Sequence, residues 1–277
     1  MTTSKSAVLS YGNRILGRGE WTGVTGKFAN PFSHLSELQV PVPFISATPV
    51  SGELVLTFEA QDEAGDPESF KADTFGLLAV TDAASIAPKP GLPNNAVIEF
   101  RDDGTGDLIT SVTWAALNNR SRPANAFALA AAEAEIDTLR VRITGAGAGE
   151  IRIGGVWAGR SIRERISRDW ALDSTDYSTI SRSATTPWPN RRGQSDIVPG
   201  TMSMLTEDQA YGIDGGQNLK HVFETAGTAG PVVYMTNAAT AARIAHLSVY
   251  GLLRPGWSIS RGEGELFSAR FEVEEIR

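Results

Sequence analysis

A period of two constrains this chain more than any other feature. In ELVLTFEA (Glu53–Ala60), Leu54, Leu56 and Phe58 share a face, and TLRVRITG (Thr138–Gly145) sets Leu139, Val141 and Ile143 against Arg140 and Arg142. LFSARFEVEEIR (Leu266–Arg277) repeats the pattern, with Phe267, Ala269, Phe271 and Val273 opposite Ser268, Arg270, Glu272 and Glu274. Successive side chains of a strand point to opposite faces, so this alternation specifies half-buried strands. TFGLLAVTD (Thr74–Asp82), AVIEFRDDGTGD (Ala96–Asp107), PVVYMTN (Pro231–Asn237) and HLSVYGLLR (His246–Arg254) read as further strands, with PVPF, APKPGLP and TPWPN as punctuation. EIRIGGVWAG (Glu150–Gly159) follows TLRVRITG across a GAGAGE turn, so the two read as a hairpin or as adjacent strands. Short strands between regular turn signals predict a mainly β chain of sandwiches or barrels.

Two segments compete with that reading. NAFALAAAEAEIDT (Asn125–Thr138) has high helix propensity, yet Phe127, Leu129 and Ala131 alternate, and a strand followed by a turn is the reading adopted. In GGQNLKHVFETAG (Gly215–Gly227), Leu219, Val222 and Phe223 follow helical spacing and Gly227 stops it, predicting one short helix near 215–226. Thr206 with Glu207 and Asp208 reads as a helix start. The boundary between two domains is expected near Arg160: residues 1–159 form a β-sandwich, and 160–277 form a second β domain with a long polar loop at 173–200.

Length and composition bound the function. A chain of 277 residues, 41% hydrophobic and 21% charged, holds one large or two ordinary domains. Its formal charge of −7 argues against binding duplex nucleic acid. Without cysteine it has no disulfide and no thiolate site. The N-terminal stretch has no apolar run of the secretory kind, and no window is long and apolar enough to span a membrane. Of the 25 basic residues, 20 are Arg and 5 are Lys, which suits either bidentate interface contacts or a GC-rich coding bias.

No catalytic constellation stands out, and the chain reads as a non-enzyme without cofactor or metal. His34, His221 and His246 do not fall into metal-ligand spacing, and there is no GxSxG elbow. RDDGTGD (Arg101–Asp107) could offer Asp102 and Asp103 to a cation or a glycan, but it reads first as an acidic turn. Trp21 and Trp114 are candidate sugar-stacking residues. Arg160, Arg163, Arg165 and Arg168 crowd together ahead of Trp170, and Trp188 lies among prolines just before Arg191 and Arg192; these are candidate partner-interface residues.

The order IxIGxxWxGxS (Ile151–Ser161), Asp169–Trp170, Arg191–Gly193, LTEDQAYG (Leu205–Gly212) and an alternating strand at Leu266–Ile276 resembles the distal tail proteins of tailed-phage tail tips. The first half, with GEW (Gly19–Trp21) and ADTFGLLAVTD (Ala72–Asp82), is similar in order to galactose-binding-like jelly rolls. The resemblance implies a structural role in a tail tip or baseplate within the virion, made in the host cytoplasm. It implies self-association as a ring, trimer or hexamer, and contacts to tube, hub and fibres. A carbohydrate-binding module for host surface glycans is the competing reading, and a glycan-cleaving enzyme a third.

Overall fold

The computed structural model describes residues 6–15, 19–36, 45–82, 91–114, 124–165, 173–176, 179–182, 187–190, 194–212, 218–240, 243–244, 247–262 and 264–276. The fold is mainly β, and every strand pairing is antiparallel. The first half runs β1 (Ser6–Tyr11), β2 (Gly19–Thr25), β3 (Lys27–Ala29), a 3-10 turn at Phe32–Ser36, β4 (Ile45–Thr48), β5 (Glu53–Ala60) and β6 (Phe70–Asp82). It continues with β7 (Val97–Asp102), β8 (Leu108–Thr113), β9 (Ala124–Ile136), β10 (Thr138–Thr144), β11 (Ile151–Ile153) and β12 (Gly155–Arg165). The second half runs β13 (Asp173–Asp176), β14 (Thr179–Arg182), β15 (Pro187–Asn190), β16 (Gln194–Leu205), α1 (Glu207–Tyr211) and α2 (Leu219–Ala226). Then come β17 (Pro231–Met235), β18 (Ser248–Leu253), β19 (Ser258–Arg261) and β20 (Phe267–Glu275).

Two layers enclose the first core. A five-stranded sheet in the order β2-β5-β10-β7-β8 faces the β3-β4-β11-β6-β12 end of a 13-stranded sheet, with β9 also paired to β6. The alternation of β5 and β10 places Leu54, Leu56, Phe58, Leu139, Val141 and Ile143 inside, opposite Phe75, Leu77, Val156 and Ala158. The outward arginines of β10 meet acids: Arg142 reaches Glu53 at 2.6 Å, and Arg140 pairs with Asp103. The expected hairpin between β10 and β11 does not form. β10 pairs with β5 and β7, whereas β11 pairs with β4 and β6, so the GAGAGE turn carries the chain from one layer to the other. The Ala-rich segment is strand β9, as its alternation required.

The large sheet runs unbroken into the second half, in the order β12-β1-β17-β18-β20-β16-β13. β12 is shared along its length: Gly155–Gly159 pair with β6, and Arg160–Arg165 pair with β1. The expected boundary at Arg160 therefore falls inside a strand. β1 lies between β12 and β17, pairing with both. Its alternate side chains feed different clusters: Ala7, Leu9 and Tyr11 join the core under the helices, while Val8 joins Trp157, Leu78, Phe127, Val233 and Tyr250 on the other face.

Where one helix was expected, both α1 and α2 pack over the second half of the sheet. Thr206 caps α1 in a reciprocal box with Gln209, and Gly212 ends it in the left-handed conformation. The helix start read at Thr206 thus opens a separate five-residue helix. α2 starts at Leu219, capped by Asn218, and buries Leu219, Val222, Phe223 and Ala226. The segment 173–200, expected to be a loop, contains β13, β14, β15 and the start of β16. β13 pairs with β16, and β14 pairs with β15 one register step further out. The pairing here is carried by backbone hydrogen bonds with no alternating apolar pattern in the sequence, which is why the segment read as a loop.

Two predictions follow from the shared strand and its neighbours. Leu9→Ala empties a fully buried position, and should cost about 2–5 kcal/mol. Urea unfolding followed by tryptophan fluorescence and by far-UV dichroism should shift together, because β1 serves both halves; transitions that separate would contradict one cooperative sheet. Burial also pushes the phenols of Tyr234 and Tyr250 far above their ordinary value. Unfolded tyrosine ionises near pH ~10 while the folded rings keep their protons, so stability is full below that pH and falls as pH rises through it. Urea midpoints on either side of about pH 10 should show the fall, and Tyr250→Phe should flatten it.

Candidate functional site

The joint around β12 gathers buried, half-buried and exposed polar groups into one set of hydrogen bonds and ion pairs. Beyond Tyr11 the chain leaves the ladder at Gly12, where φ is 62°. The Asn13 carboxamide then takes over: Nδ2 donates to the Val156 carbonyl at 3.1 Å and Oδ1 accepts from the Ala158 N–H at 3.0 Å. The Arg14 N–H donates to the Ala158 carbonyl at 2.8 Å. One side chain and one amide thus extend the edge pairing of β12 where β1 has ended. Trp157, fully buried, donates its Nε1–H to Ser10 Oγ at 3.0 Å, and Ser10 Oγ donates to the Arg160 carbonyl. A methyl group on Gly159 would stand 2.8 Å from the Tyr11 carbonyl, so glycine is required for this approach.

An irregularity in the β6–β9 ladder builds the ionic part. Ala72 faces Ala134 but Thr74 faces Leu129, so the β9 residues between slip out of register. The freed Ala130 carbonyl accepts from Arg163 Nη2 at 2.8 Å, and the freed Glu133 takes Arg160 in a forked pair at 2.7 and 3.3 Å. Asp73, at the same irregularity, accepts from Ser161 Oγ at 2.8 Å and from Thr74 Oγ1 at 3.1 Å, and pairs with Arg163 at 3.2 Å. Tyr11 lies at the same junction: burial raises its pKa, the cations Arg160 and Arg14 oppose the shift, and Glu133 and Asp73 add to it.

Of the candidate interface residues, Arg160 and Arg163 are therefore brought together, each with a carboxylate of its own chain. Arg165 ends β12 opposite Ser6, and Trp188 lies in β15 opposite Ser181. Arg168, Trp170, Arg191 and Arg192 lie outside the described residues, as does His246. The candidate glycan residues do not form a binding face. Trp21 packs on Phe58 with 7% exposure and Trp114 is 2% exposed, so neither ring can stack on a sugar. Asp102 closes its own turn by accepting from the Gly104 N–H and Thr105 Oγ1, and Asp103 is held by Arg140. His34 sits in the 3-10 turn, and His221, on α2, meets the edge of Tyr11. Among the described residues no three acids or histidines group as metal ligands, and no helix is long and apolar enough to cross a membrane.

Sequence reading missed Asp73, Glu133, Ser10, Asn13 and Arg14. Asp73 carried a signal, an acid at the head of an otherwise apolar run; Glu133 meets Arg160 from another strand, and Ser10, Asn13 and Arg14 depend on pairing across more than a hundred residues. In comparisons with known proteins the chain matches no family model, no curated protein and no solved structure.

Asp73→Asn should leave Arg163 without its charge partner and cost about 2–4 kcal/mol, discounted from the fully buried case because Arg163 is partly exposed. Arg254→Ala, which breaks exposed pairs with Glu272 and Glu274, should cost less than about 1 kcal/mol. Urea titrations of the two variants compare them directly, and equal losses would mean that the joint's ion pair has no special weight.

Proposed function

We propose that this chain is a structural component of a bacteriophage tail tip or baseplate, of the distal-tail kind, working through contacts between copies and with tube, hub and fibre proteins. The observation that carries the reading is the ribbon that starts at β13 and returns along β16. Its outer strands β14 and β15 pair only with each other among the described residues. A two-stranded ribbon alone is marginal in water and gains stability when something covers it. Residues 177–193 contain three arginines and no acid, in a chain of formal charge −7. A segment of this charge is complementary to the acidic body of a second copy. Head-to-tail repetition of such a contact closes a ring when the rotation allows it. The proposed setting is the virion tail. The sequence resemblance supports the same reading.

Native mass spectrometry and negative-stain images of the purified chain should give a discrete oligomer or rings. Deleting Ser178–Arg191 should yield a monomer with an unchanged thermal transition, because the deleted residues lie beyond the β13–β16 pairing. Assembly that survives the deletion would remove the ribbon from the interface.

A further inference from the structure

Where β16 hands over to α1, the second half keeps apolar side chains in the open. Tyr211, the last residue of α1, is 39% exposed and stands edge-on to Phe267, with ring centres 5.3 Å apart. Leu266, next to Phe267 in the chain, is 38% exposed. Carboxylates flank both. Glu207 lies one helical turn before Tyr211 on the same face of α1, Asp208 follows it, and Glu265 precedes Leu266. Neither Glu207 nor Glu265 enters an ion pair among the described residues. The neighbouring cations are engaged. Arg261, opposite Phe267 on β19, donates from Nε to the Gly264 carbonyl at 3.3 Å, and Lys220 on α2 lies 3.7 Å from Glu224. Four acids against two cations leave the patch with an apolar centre and a negative rim.

The chain itself contains a segment of matching chemistry. Residues 177–193 carry Arg182, Arg191 and Arg192 with Ile180 and Trp188, and no acid. This segment enters β16 at Gln194, whereas α1 and the patch follow the other end of the strand, at Leu205. Segment and patch are therefore anchored at opposite ends of one strand, roughly 35 Å apart. We propose that the patch around Tyr211 and Leu266 is the docking surface for residues 177–193 of a second copy. The arginines meet the carboxylate rim, and the apolar side chains cover the centre. With the two surfaces at opposite ends, the contact is head-to-tail: each copy offers one segment and one patch until a ring closes. The inference rests on the assembly reading above and assigns the surface that the ribbon meets.

Sedimentation velocity over a concentration series gives the dissociation constant between copies for the whole chain and its variants. Glu207→Lys combined with Glu265→Lys should raise it at least about tenfold and leave the thermal midpoint unchanged, because both side chains are exposed. Tyr211→Ala should also raise it about tenfold, and carries the test if the lysine variant fails to fold. Adding Arg191→Glu and Arg192→Glu to the lysine variant restores opposite signs, and should return the constant to within about threefold of the original. If deleting Ser178–Arg191 abolishes assembly but the patch variants assemble as before, or if the charge exchange restores nothing, this docking surface is overturned and the ribbon's role stands. If assembly survives the deletion, or the whole chain stays monomeric at every concentration, the assembly reading and the docking surface fall together.

Discussion

β1 is the piece on which the rest of the sheet depends. Six residues, Ser6–Tyr11, pair on one side with β12 and on the other with β17. Without them β12 and β17 would present open rows of N–H and C=O groups, and two apolar clusters would lose a wall. Ala7, Val8, Leu9 and Ser10 are all fully buried, which no surface strand could tolerate. The pairing joins residues about 150 positions apart, so its loop-closure entropy must be met before any contact rewards it. Pairing over such separations raises the contact order, which across proteins goes with slower folding.

Arginine does specific work at this seam. Arg163 binds a carboxylate, a hydroxyl and two carbonyls from one planar group, a load that a lysine ammonium could not meet with the same fixed geometry. The register slip between β6 and β9 supplies acceptors, because it frees the Ala130 carbonyl and the Glu133 carboxylate from the ladder. A defect in one ladder thereby becomes the binding surface for the next strand.

Local pattern was legible wherever a strand has one wet and one dry face. β5, β10 and β20 follow from their alternation, and their inward residues are those the alternation selected. α2 follows from its spacing, though it starts at Leu219, capped by Asn218, and not near 215. Partner choice was not legible. Neighbours in sequence suggested that β10 and β11 pair, but strand pairing in a two-layer fold is set by which layer each strand must cover. The tryptophans were misread for a related reason: Trp21 sits between Glu20 and Thr22, which face outward from β2 while the ring faces inward, and Trp114 is buried just beyond the end of β8. A run of arginines marked the joint, while the acids that fix Arg160 and Arg163 come from distant strands.

The ribbon shows where a polar sequence hides structure, and its prolines bear on how it could meet a neighbour. Pro187 and Pro189 both lie in β15, two residues apart, so their nitrogens face the same side of the strand. Proline cannot donate, and a paired strand tolerates it only where the missing donor points away from its partner. The outer edge of β15 is therefore stripped of donors at both positions, which blocks it from recruiting another strand edge to edge. In the proposed assembly a neighbouring copy would be met through the faces of the ribbon and the basic charge of residues 177–193, and not by extending the sheet. That restriction is useful in a chain with so many strands: it admits a limited contact between copies while closing the route to open-ended strand addition.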